Sequence, residues 1–175
     1  MHRTPRATAP PVRYGIEGPQ AIAVPSREVL LTPDPWQPRK WRQAVRLPAG
    51  TLIPAVGTIP GFDPGHTFVV NEDVPAGGPI TLYCNNDIPK LQAELQKAEG
   101  NCHIYYHRSH MLYLDSKPCS GRTKRWMAAH HQVGGLINTS LQANAQFHEV
   151  GESCVVVAHP NPILAGTPVA INYAP

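Results

Sequence analysis

Three histidines, His103, His107 and His110, stand close together and directly follow Cys102. Imidazole and thiolate are the common ligands of zinc. On a helix the three rings would share one face, at i, i+4 and i+7. On a strand His103 and His107 share a face and His110 points away. The flanking Ile104-Tyr105-Tyr106 and the run Met111 to Leu114 favour a strand, because aromatic and β-branched side chains suit a pleated surface. Cys119, His130 and His131 are further ligand types that a fold can bring to the same place. No CxxC, HExxH or CxxH spacing occurs. The residues therefore predict a histidine cluster on a β-hairpin, with no metal and no other cofactor. A zinc-binding domain or metalloenzyme centred on His103, His107 and His110 is the alternative.

Other reactive residues are scattered. Asp63, His66 and Asp115 are acid/base types, but no spacing selects them. Ser153, in Gly151-Glu152-Ser153-Cys154, lacks the Gly-x-Ser-x-Gly elbow of a hydrolase. Gly134-Gly135 stands alone, without a phosphate-binding glycine pattern. No catalytic residue is expected. Lys117, Arg122, Lys124 and Arg125 beside Trp126 form a basic spot of the kind that can hold a nucleic-acid backbone and stack a base. A solvated loop, or a contact for an acidic protein surface, is the favoured reading, because the rest of the chain is slightly acidic.

The elements that must position these groups read as mainly β. A phrase with Ala-Gly ahead of a β-prone run occurs three times: Leu47 to Ile53, Val74 to Tyr83 and Ile163 to Tyr173. Glycine supplies a positive φ and the β-branched residues after it enter a strand. Strands that start from Pro/Gly turns are the habit of sandwiches and small barrels. Further strands are expected at Glu28 to Thr32, at Phe68 to Val70, across Cys102 to Leu114 and at Glu152 to Ala158, the last central and buried. One helix is expected, with Asp87 as N-cap, Pro89 in its first turn, an apolar stripe at Leu91, Leu95 and Ala98, and Gly100 at its end. Residues 124–147 are ambiguous: Trp126 to Ala129 suit a helix, and Gly134-Gly135 interrupts it. The fold class is thus a compact antiparallel β-sandwich or small barrel with one short helix.

The N-terminal segment differs from the rest. The chain has 175 residues and 20 prolines. Its first 48 residues hold 9 of those prolines and 8 Lys/Arg against 3 acids, while the remaining 127 carry 7 basic and 9 acidic groups. Proline lacks an N–H and biases the residue before it toward extended backbone. Residues 1–46 are therefore expected as an extended basic arm and residues 47–175 as the β-rich body. Arg13, Trp36, Arg39, Lys40, Trp41 and Arg42 are the expected partner contacts, since Trp and Arg are enriched at interface hot spots. Charged residues make up only 15% of the chain, which fits an outer face partly covered by neighbours. The arm's charge is too dilute for a dedicated nucleic-acid tail, so direct nucleic-acid contact is not favoured. Residues 1–20 lack a signal-peptide apolar region, and the longest apolar run, Cys154 to Ala158, is too short to cross a membrane. A cytosolic origin with reduced cysteines is expected.

The Arg/Pro-rich arm, the strand entries at Leu47–Ile53 and Ile163–Tyr173, and the core strand Cys154–Ala158 together resemble the decoration (cement) and other small capsid-associated proteins of tailed bacteriophages. The helix at 87–100 and the histidine-rich segment are not part of that likeness. The resemblance implies a non-enzymatic virion protein, made in the host cytoplasm. Its arm would lie across the major capsid protein or other virion subunits, and its β-body would form a homo-oligomer on the shell.

Overall fold

A computed structural model describes residues 21–31, 43–54, 66–83, 86–101, 103–117 and 123–172. The strands are β1 (Ile22–Val24), β2 (Arg27–Leu31), β3 (Gln43–Leu47), β4 (Gly50–Pro54), β5 (His66–Val70), β6 (Pro79–Leu82), β7 (Asp87–Ile88), β8 (Ile104–His107), β9 (Leu112–Asp115), β10 (Ala145–Val150), β11 (Ser153–Ala158) and β12 (Pro168–Val169). Among the described residues the helices are α1 (Lys90–Ala98) and α2 (Lys124–Ala129), with a 3-10 turn at Gly134–Leu136. The described chain is mainly β and sandwich-like, in antiparallel sheets that do not close into a barrel.

Sheet order is β1-β4-β5-β12, β10-β11-β6, β7-β9-β8 and the ribbon β2-β3. Leu52, Phe68 and Val70 of the first sheet and Ile80, Val156 and Ala158 of the second fill one core with Met127, Ile163 and Ile171. Val155 and Val157, on the opposite face of β11, pack with Leu82 against Leu31 and Leu47 of the ribbon. The all-apolar run of β11 follows from this: the strand is covered on both faces, so no position is left for water.

Two of the three Ala-Gly phrases interlock. Val74 and Ile163 exchange two backbone hydrogen bonds of 2.8 Å. Gly77 and Gly166 take φ of 74° and 82°, the left-handed turn that glycine permits without a Cβ clash. Gly77 N–H donates to Ala158 O at the end of β11, and Gly166 N–H donates to Val70 O at the end of β5. Each turn thereby sends its chain along the other unit's strand: β6, after β5, pairs with β11, and β12, after β11, pairs with β5. The third phrase works differently. Gly50 opens β4 because the Phe68 ring lies where its Cβ would be.

Several expectations change. Within residues 1–46, β1 pairs with β4 and the β2-β3 ribbon supplies Leu31 to a core, so both are built into the body. Cys102 to Leu114 is not one strand: β8 and β9 form a hairpin around a turn at Arg108–Met111, with Met111 at φ 51°. No Gly, Pro, Asn or Asp marks that turn. α1 starts at Lys90 with Pro89 at its cap, and Asp87 belongs to β7, where it pairs with Leu114. The expected stripe is not its packed face: Leu91 is 69% and Leu95 58% exposed, whereas Ala93 is buried against the sheet. Gly100, at φ 89°, ends the helix as its sequence suggests. Residues 124–129 are a helix, with the Thr123 hydroxyl accepting from Trp126 N–H at 3.2 Å.

Gly50→Ala tests the packing argument. Its Cβ would overlap the Phe68 ring and sit 2.8 Å from Val69 O. A loss of roughly 1–3 kcal/mol in denaturant unfolding is expected, typical of an overpacked core. An unchanged midpoint would show that the β4-β5 contact relaxes freely.

Candidate functional site

The densest grouping of chemically capable side chains lies where the β8-β9 hairpin meets β10 and β11. Tyr83, Tyr105 and Phe147 form a triangle of rings with centroids 5.1–5.5 Å apart, and this anchors the hairpin on the body. Beside it, Glu149 of β10 ties down the turn. Its carboxylate accepts from Arg108 N–H at 2.8 Å, Ser109 N–H at 3.1 Å, the Ser109 hydroxyl at 2.6 Å and the Tyr105 hydroxyl at 3.0 Å. Burial raises the carboxyl, but the Ser109 hydroxyl, the two backbone N–H groups and Tyr105 outweigh it and hold the group at about 2. A turn without glycine or proline is thus held by a carboxylate 40 residues away in sequence.

The turn folds two of the three clustered histidines together. His107 and His110 are edge-to-face, with ring centroids 5.1 Å apart. His107 is fully buried. Its Nε2 lies 3.2 Å from Ser153 O, a carbonyl that can only accept, so Nε2 carries a proton, and in the neutral ring Nδ1 holds the lone pair. That Nδ1 is 3.6 Å from Glu149 Oε2, beyond hydrogen-bond length. Neither His107 Nδ1 nor His110 Nδ1 has a hydrogen-bond partner, although both atoms are buried. His103 does not join them. It sits four residues back along the hairpin, about 13 Å at strand rise, and its Nδ1 pairs with Gly135 O at 2.9 Å. The expected trio therefore separates into a pair and a distant single. Among the described residues no group of three or more His, Cys, Asp or Glu is arranged to hold a metal ion.

Among the described residues here no nucleophile is poised. Cys154 is buried, and desolvation pushes its thiol well above the ordinary range. Burial likewise pushes the Tyr105 phenol up, reinforced by Cys154 and Glu149 beside it. Reactive cysteines need an electropositive, partly open setting that favours the thiolate. The Ser109 hydroxyl gives its proton to Glu149 and not to an imidazole.

The other expected groups are dispersed. His131 is a core residue: Nε2–H donates to Pro48 O at 2.8 Å, and Nδ1 lies 2.9 Å from the Thr81 hydroxyl. Burial pushes it below its ordinary value and keeps it neutral. His130 stacks on Trp126, with centroids 4.0 Å apart, and its Nδ1 meets Trp126 O at 2.8 Å. Asp115 accepts from Asn101 Nδ2 and from Lys117 N–H. His66 is buried in β5. Lys117, Arg125 and Trp126 are exposed, and Lys124 is half-buried. Asp63, Cys102, Cys119 and Arg122 lie outside the described residues, as do Arg13, Trp36, Arg39, Lys40, Trp41 and Arg42. Among the described residues no helix is long and apolar enough to cross a membrane.

Neither a protein-family model nor a curated protein matches this chain.

Glu149, Tyr105 and Cys154 were not picked out from the sequence. Nothing in their local spacing marks them, because their partners lie on other strands.

The Glu149 tie predicts a pH-dependent stability. A carboxyl held at about 2 when folded, against 4.5 as its ordinary value, stabilises the fold above 4.5 and loses that contribution as pH falls through about 2. Glu149→Gln should destabilise the protein at neutral pH by on the order of 1–2 kcal/mol, after allowance for solvent screening. The deficit should shrink as unfolding is measured at successively lower pH. A deficit that stays constant with pH would show that the lost hydrogen bonds matter and the charge does not.

Proposed function

We propose that this chain is a non-enzymatic structural protein that attaches to a larger assembly, and specifically that it decorates or cements a viral capsid through its N-terminal segment and an oligomeric β-body. The observation that carries this reading is a contrast in how side chains are used. In the described body Glu149, Tyr105, Cys154 and His131 are committed to internal contacts. Leu91, Leu95, Met111, Leu141 and Leu164, in contrast, are 58–92% exposed. Apolar surface combined with low charge suits a protein that meets other proteins. The capsid itself, its major subunit as partner, and the virion as location rest on the resemblance in overall design. The N-terminal contribution rests on composition: proline limits the entropy an extended segment loses when it orders on a partner. Repeated weak contacts on a symmetric shell add strongly through effective concentration.

The strand positions decide where a truncation can be made. Removing residues 1–46 would take away β1, β2 and most of β3 and uncover Leu82, Val155 and Val157. Removing residues 1–20 spares all three strands, since β1 begins at Ile22. The full chain should sediment with purified tailed-phage capsids stripped of their decoration protein, whereas the chain lacking residues 1–20 should remain folded and stay in the supernatant. Equal sedimentation of both chains would overturn a role for residues 1–20, Arg13 included, in attachment. Failure of the full chain to sediment would overturn the capsid reading.

A further inference from the structure

We propose that the β8-β9 turn binds a divalent transition-metal ion through Nδ1 of His107 and Nδ1 of His110, with Glu149 as the carboxylate beside it. This goes beyond the attachment reading and does not depend on it. The starting observation is a pair of orphans: two buried imidazole nitrogens, on neighbouring rings, both without hydrogen-bond partners. Buried polar atoms are nearly always satisfied, and an exception calls for an ion, a water or a functional role. Two on adjacent rings, with centroids 5.1 Å apart, call for something that serves both. Among the described residues no proton donor serves either nitrogen, and a metal ion is the ligand that accepts lone pairs from two imidazoles at once.

The surroundings fit that use. The His107 Nε2–H contact with Ser153 O holds the tautomer in which Nδ1 has its lone pair available. Metal-bound histidines usually donate their other N–H to a carbonyl or carboxylate in this manner. Glu149 is ionised, lies 3.6 Å from His107 Nδ1, and already accepts four hydrogen bonds. Its negative charge is thus placed to offset the ion's charge. Since no third protein ligand is arranged among the described residues, water completes the shell. The exposed outer side of the turn, where Met111 is 76% exposed, provides entry. Imidazole favours zinc, copper and nickel over magnesium or calcium.

The test is calorimetric titration of Zn2+ into the full, metal-stripped chain, with Mg2+ as the contrast. Saturable Zn2+ binding is expected at one equivalent per chain, with none for Mg2+. His110→Ala should abolish it; this residue sits on the turn, so the variant keeps its fold even if His107→Ala does not. Glu149→Gln should weaken it by about tenfold or more, as loss of an outer-shell carboxylate does. His130→Ala, which removes an imidazole outside the site, should leave it unchanged. The proposal is overturned if the full chain shows no saturable Zn2+ binding, or if His110→Ala binds as tightly as the parent chain.

Discussion

Burial of β11 on both faces is the constraint on which the rest of the structure depends. Val156 and Ala158 enter the core between the two larger sheets, Val155 and Val157 enter the core under the β2-β3 ribbon, and Cys154 packs with Tyr83 and Leu114 under the hairpin. A strand with no wet face can be stable only if three separate pieces of chain cover it. That requirement draws residues 27–31 and 43–47 into the body, despite their proline-rich and basic neighbourhood. It also explains why a polar side chain has no place between Cys154 and Ala158.

The interlocked Ala-Gly turns supply the order in which the covering pieces arrive. Because the turn after β5 bonds to the end of β11, and the turn after β11 bonds to the end of β5, the two units cannot be placed independently. The pairing of Val74 with Ile163 closes this arrangement. The hairpin β8-β9 is then added at one end. Rings hold its base and a single carboxylate holds its tip. The same carboxylate that holds the turn lies beside His107, whose Nδ1, like that of the adjacent His110, has no hydrogen-bond partner.

Much of the β architecture was legible from local chemistry. The runs Phe68 to Val70 and Cys154 to Ala158 are apolar and short, and both are strands. Gly77, Gly100 and Gly166 occupy left-handed positions at turns and a helix end, as their sequence contexts indicate. Periodicity misled at α1, because an amphipathic stripe states which side chains are apolar and not which face a neighbour covers. There the close approach went to Ala93 and left Leu91 and Leu95 in solvent. The hairpin turn at Arg108–Met111 carried no turn residue, because its stabilising partner is Glu149 on another strand.

By itself, the sequence determined the kinds of element and several of their ends, since those depend on residues close together in the chain. It also determined the division between a basic, proline-rich head and a slightly acidic remainder. Only the tertiary structure decided that parts of that head are body strands, that His103 stands apart, and that His107 lies beside both His110 and Glu149. Those outcomes depend on which strands become neighbours across gaps of 20 to 40 residues. Local propensity carries no record of such neighbours; the burial of shared faces does.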